Sequence, residues 1–202
     1  GTLRLQGGEA VTFGGPGGFD EDSGTVAFNG AGTYAGLPAG FGNAFFNMTF
    51  DGTGEWQLGA NLALDGAFTV SQGTVRLNGF DIANGAGAGS PVLGNIAGTI
   101  KLRGNETVFW TTNDTDSGTY IYVGDGNAAA DPYTIKDFTA TTEPDYFNLI
   151  VNAADGAQEN FVLGSPLEVQ NDLSITSGTF DTSNVGNHPI DVAGNVDIDG
   201  TF

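Results

Sequence analysis

The chain has no cysteine and a single histidine. Disulfides, thiolate chemistry and histidine-pair metal sites are thereby set aside, while the compartment stays open. Basic residues are nearly as scarce: five Lys and Arg stand against 24 Asp and Glu, for a formal net charge of −19. Nucleic acid is set aside as a partner, because binding phosphates requires a basic surface that displaces counterions. No apolar run reaches the ~18 residues of a membrane span, so no membrane crossing is expected within this chain. No stretch reads as a secretion signal. Helical apolar spacing with caps is also missing, which leaves strands.

What is present is glycine, 34 residues of it, with 39% apolar residues and fifteen Phe. That composition supplies turns and still provides a core. It is also ordered as a repeat. Gly1-Thr2-Leu3-Arg4-Leu5 returns as Gly98-Thr99-Ile100-Lys101-Leu102, and Gly200-Thr201-Phe202 opens the phrase again. Glu9, Val11 and Phe13 match Glu106, Val108 and Trp110; Asp20–Thr25 matches Asp114–Thr119; Phe45–Phe50 matches Tyr146–Val151. The expected organisation is unit one at 1–97, unit two at 98–199 and the start of a third at 200–202. Such a chain reads as part of a longer array, with signals and anchors then lying outside it. Unit one carries eight acids and unit two sixteen on the same apolar skeleton. Solvated surface varies in this way; a fixed active site does not.

Apolar pairs alternating with polar residues recur at Leu62/Leu64, Phe68/Val70, Val75/Leu77 and Phe80/Ile82, and again at Leu167/Val169, Leu173/Ile175, Ile190/Val192 and Val196/Ile198. Alternation of period two marks short strands with one buried face. Two all-β architectures accommodate them. One is a right-handed parallel β-helix, a β-solenoid with coils of about 20 residues and about five coils per unit. The other is a tandem of immunoglobulin-like β-sandwiches, one per unit. The six- to seven-residue spacing of the pairs and the slippage between copies favour the solenoid, with Leu62, Phe68, Leu167, Leu173, Val192 and Val196 pointing inward.

The phrases YFNLIV, LEVQNDLSITSGTFD and PIDVAGNVDIDGTF resemble repeats of secreted bacterial and archaeal surface proteins of the adhesin, haemagglutinin-like and autotransporter-passenger kind. That resemblance implies a parallel β-helix forming an extracellular or cell-surface stalk, sheath or filament. It carries over no catalytic residue.

The sharpest chemical candidate is the acidic turn of each unit, with Asp20 and Asp22 in one and Asp114 and Asp116 in the other. Alternate carboxylates before a Ser-Gly resemble the opening of a calcium loop, so calcium is the expected cofactor, one ion per unit. An ordinary Asp-capped turn produces the same pattern. His188 sits in a turn insertion without a counterpart in unit one, and serine has no general-base partner. No catalytic residue is expected and the chain is read as no enzyme; a polysaccharide-active enzyme is the weakest alternative. Sequons at Asn47, Asn105 and Asn113 are as frequent as composition alone produces. Trp56, Trp110, Phe13 and Tyr146 fit either sugar-stacking platforms or core ladders. The expected partners are the chain's own repeats or neighbouring subunits, with a cell-surface glycan as the partner if the chain is an adhesive module.

Overall fold

The computed structural model describes residues 1–12, 23–37, 44–85, 93–110, 112–127, 129–138, 144–155, 158–182 and 186–202. Among these residues the chain forms 22 short strands, β1 to β22, and no helix. Every strand pairing is parallel. Immunoglobulin-like sandwiches pair their strands antiparallel, so that alternative is set aside.

The strands stack on three faces, visited in turn. Face 1 holds β1 (Thr2–Leu5), β2 (Thr25–Phe28), β5 (Asn47–Phe50), β8 (Ala67–Val70), β11 (Leu93–Ile96) and β13 (Thr112–Asn113), then β18 (Leu167–Val169) and β21 (Ile190–Val192). Face 2 is one unbroken eight-stranded sheet. It contains β3 (Thr33–Leu37), β6 (Glu55–Leu58), β9 (Thr74–Arg76), β12 (Thr99–Leu102), β14 (Thr119–Tyr122), β16 (Asn148–Asn152), β19 (Leu173–Ser177) and β22 (Val196–Ile198). Face 3 holds β4 (Ala44–Phe45), β7 (Leu62–Leu64) and β10 (Ile82–Asn84), then β15 (Pro132–Ile135), β17 (Asn160–Leu163) and β20 (Thr179–Asp181). The fold is a β-solenoid of about seven turns. The register steps Thr99↔Thr119 and Thr119↔Asn148 give coils of 20 and 29 residues, the longer one absorbing an outward loop.

Alternation places the core. β5, β6, β8, β12 and β14 each bury every second residue. Leu62, Phe68, Leu167 and Leu173 are buried as expected, and Val192 packs against the core from its edge. Val196 shares the ladder position of Leu173 yet is exposed, because it lies in the last coil with nothing above it. Stacked coils bring like residues into register, and the aromatics form a column. Ring centroids are 5.3 Å apart from Phe28 to Phe50, 5.5 Å from Phe50 to Phe68 and 5.4 Å from Phe68 to Trp110. The column continues through Phe138, Tyr146 and Tyr122 to Phe161, with neighbouring centroids 5.4–6.4 Å apart. One buried cluster therefore runs through both units, with no break at Gly98.

The two units occupy different faces. Their opening strands, β1 and β12, lie on faces 1 and 2; the third opening, at Thr201, bridges Thr179 on face 3. The rest of the repeat follows the same shift. β2 and β14, β5 and β16, and β8 and β19 move from face 1 to face 2; β6 and β17, and β9 and β20, move from face 2 to face 3. From β1 the ladder climbs through β2, β5 and β8 to β11, and β12 then opens on the next face. From β12 it climbs through β14, β16 and β19 to β22 before Thr201. A unit is thus four coils plus one face, a third of a turn more than a whole number.

Candidate functional site

The acidic turn of unit two leads from face 1 into β14. Asp114 Oδ1 accepts the Asp116 backbone N–H at 3.1 Å, and Oδ2 accepts the Ser117 hydroxyl at 3.0 Å. Both oxygens thereby close the turn itself. Gly118 then takes φ +79°, where an added Cβ would lie against the Ile96 carbonyl oxygen. Its counterpart Gly24 has φ +89°. Asp116 is exposed, and the Asp114 carboxylate, hydrogen-bonded to it and repelling its charge, holds its carboxyl above the ordinary value. Asp20 and Asp22 lie outside the described residues. Among the described residues no three His, Asp or Glu side chains gather as a metal would require.

Among the described residues, three carboxylates that sequence reasoning did not single out for this role are buried: Glu106, Asp145 and Glu159. Glu106 closes a backbone nest, accepting N–H bonds from Gly79 at 2.9 Å, Arg103 at 2.8 Å and Gly104 at 2.8 Å. Its repeat partner Glu9 accepts from Gln6 and Gly7 at 2.8 Å in the same way. Those backbone bonds, from Gly7 first, hold the Glu9 carboxyl below its ordinary value. The legible signal was a Gly two residues before each Glu. Asp145 joins coils, accepting from Phe138 N–H at 3.1 Å and Glu168 N–H at 3.3 Å. Glu159 Oε1 accepts from Asp125 and Gly126 N–H at 3.1 Å each, while its buried Oε2 has no hydrogen-bond partner. Burial, assisted by the negative charges of Asp155 and Asp125, raises the Glu159 carboxyl.

Face 3 is interrupted once. The ladder from β10 ends in a bridge to Val108 and resumes only at β15, which opens on Pro132, a residue with no N–H to donate. The gap is an open cleft of about 660 Å³, lined in part by Asn105, Thr107, Thr134, Lys136, Asp137 and Ser165. Burial lowers the Lys136 ammonium from its ordinary value, against the pull of Glu106 and Asp81. The backbone here is pinned from inside: Tyr122 and Tyr146 hydroxyls meet at 2.8 Å, Tyr146 donates to the Lys136 carbonyl at 2.6 Å, and Lys136 N–H donates to Tyr122 at 3.0 Å.

The remaining candidates belong to the scaffold. Trp56, Trp110 and Tyr146 are buried in the core, and Phe13 lies outside the described residues. Asn47 and Asn148, repeat partners, each set Nδ2 at 3.5 Å from a threonine hydroxyl one coil below, Thr25 and Thr119. Asn113 Nδ2 donates to the Asp145 carbonyl at 2.7 Å. Two of the three sequon nitrogens are therefore engaged between coils, and Asn105 is exposed. His188 N–H closes its turn on the Thr182 carbonyl at 2.9 Å.

Fold and surface together define the class: an acidic, parallel β-solenoid of the β-helix type built from a tandem repeat. Comparison with protein-family models, curated proteins and solved structures finds no match.

Proposed function

We propose that this chain is a structural segment of a repetitive extracellular surface protein, a rigid module of a stalk, sheath or filament, without catalytic activity of its own. The observation that carries this reading is the single core crossing the repeat boundary, which makes two sequence units one rod. The scaffold role of Trp56, Trp110 and Tyr146, which are buried in the core and present no face to a sugar, supports it. Antibody labelling of intact source cells tests it. Surface staining removable by external protease is the expected outcome, and antigen found only after lysis overturns the assignment.

A second reading, a glycan-binding module, draws on the cleft beneath β15, where Lys136 and Asp137 sit among hydroxyl and amide groups. Saturable binding on a glycan array, lost in Lys136→Ala, would favour it over a passive rod.

Calcium belongs to the proposal as well. Asp116, raised by its neighbour Asp114, presents an exposed carboxyl beside a like charge, and a divalent cation there would relieve that repulsion. A ligand that binds only the folded chain raises the melting temperature with its concentration. Calcium is expected to raise it, and the paired Asp114→Asn and Asp116→Asn variant to remove the effect. A melting temperature indifferent to both calcium and chelator leaves the loop a simple turn.

A further inference from the structure

The cleft in face 3 lies between residues 104–108 and β15. Its lips come together at Gly104, where an added Cβ would meet the Tyr133 Cβ at 2.7 Å. β15 turns alternate residues to β17, since Asn160 N–H bonds the Asp131 carbonyl at 3.2 Å; Thr134 N–H and C=O therefore face the gap. Lys136 is the next residue on that edge, and the Tyr122 and Tyr146 hydroxyls cap its main-chain groups. Those bonds fix the backbone that carries its ammonium. Five polar side chains line the cleft with their bonding capacity unused. Among the described residues, the side chains of Asn105, Thr107, Thr134, Lys136 and Ser165 form no hydrogen bond or ion pair within the chain.

Lys136 differs from the paired cations. Arg4 and Lys101 each meet a carboxylate, Asp51 at 3.0 Å and Glu55 at 3.1 Å. The charge of Glu106 reaches Lys136, but the Glu106 oxygens are engaged by the N–H groups of Gly79, Arg103 and Gly104. An ammonium held in a wall without a counter-ion loses hydration with no compensating partner. We infer that the cleft binds a saccharide carrying one carboxylate per ring, its carboxylate on Lys136 and its hydroxyls on Asn105, Thr134 and Ser165. This names the ligand class of the glycan-binding reading and rests on it. Amide and hydroxyl side chains both donate and accept, as sugar hydroxyls do. The exposed Pro132 and the neighbouring Val108 supply apolar surface for the carbon face of a ring. A single carboxylate is favoured over a dense run of sulfates, because Asp137 shares the wall and the chain carries a net charge of −19.

Calorimetric titration of the 202-residue chain tests it with three probes: an oligogalacturonate, the same oligomer with its carboxylates reduced to alcohols, and an oligoglutamate peptide. The expected result is saturable binding of the oligogalacturonate. Affinity should fall by about tenfold or more for the reduced oligomer, and equally for the acidic one on Lys136→Gln. Thr134→Trp, on an exposed lip, should fill the cleft and abolish binding with an unchanged melting temperature. Lys101→Gln removes a cation from face 2 instead and should bind like the parent, which separates the cleft from general charge attraction. Equal affinity for the reduced oligomer overturns the acidic ligand while the glycan reading stands. Absence of binding by either saccharide overturns both. Binding that survives Lys136→Gln and Thr134→Trp, or a preference for the oligoglutamate, also overturns the inference.

Discussion

Glu9 and Glu106 are one repeat position in two environments. Both close a turn through backbone N–H groups, but Glu106 is covered by neighbouring coils and Glu9 lies in the open first coil. Removing a buried acceptor strands its donors away from water, so Glu106→Ala is expected to destabilise by about 3 kcal/mol or more. Glu9→Ala should cost far less, since water reaches Gln6 and Gly7; denaturant midpoints of the two variants decide. Glu159 provides a pH prediction of opposite sign to the usual carboxylate. Its carboxyl is raised by burial, so its contribution to stability is present below the ordinary glutamate value and lost as pH rises through the raised one. Glu159→Gln keeps an oxygen for Asp125 and Gly126 N–H and carries no charge. Its stability advantage over the parent should grow as pH rises above the ordinary glutamate value; a difference that stays constant with pH refutes the assignment.

At the scale of elements, the aromatic column ties coil to coil. Phe68 touches Phe50 on one side and Trp110 on the other, with centroids 5.5 and 5.4 Å away. Phe68→Ala empties a fully enclosed site and should cost about 3–5 kcal/mol in chemical denaturation. Turns hold the strands at fixed corners. At Gly118 both the positive φ and the approach of the Ile96 carbonyl exclude a side chain, so Gly118→Ala is expected to lower stability more than the same change at Gly186, where an added Cβ meets nothing within 4 Å. Tyr146→Phe removes the hydroxyl that links Tyr122 to the Lys136 carbonyl and should loosen the wall of the cleft while leaving the column intact. Faster hydrogen exchange at Lys136 and Phe138 is the expected readout.

For the whole molecule, the shared core and the unbroken eight-stranded face predict one cooperative unit. Thermal unfolding followed by tryptophan fluorescence and by backbone circular dichroism should superimpose. Two separated transitions would mean that Gly98 marks a division between domains. The one-face advance per unit has a consequence for the surface. Gly24, the described end of the first acidic motif, leads into β2 on face 1, and its counterpart Gly118 leads into β14 on face 2. A feature carried once per unit therefore winds around the rod as the repeat proceeds.

The strands were legible because alternation is local: Leu62/Leu64, Phe68/Val70 and Leu167/Val169 announce their buried side without reference to any neighbour. The solenoid followed from the short spacing between such pairs. The repeat was legible as well, down to the pairing of Glu9 with Glu106 and of Asn47 with Asn148. What it does in space was not. A face is assigned by the summed length of all preceding coils, and the 29-residue step from Thr119 to Asn148 shows how loops alter that sum without altering any strand. Likewise the burial of Glu106, Asp145 and Glu159 depends on which coil lies above, and Val196 has an inward pattern with no coil to cover it. Periodicity determined which side of each strand is apolar; only the stacking of coils decided which face that strand joins and whether its apolar side is sealed, because both depend on contacts between residues twenty or more positions apart.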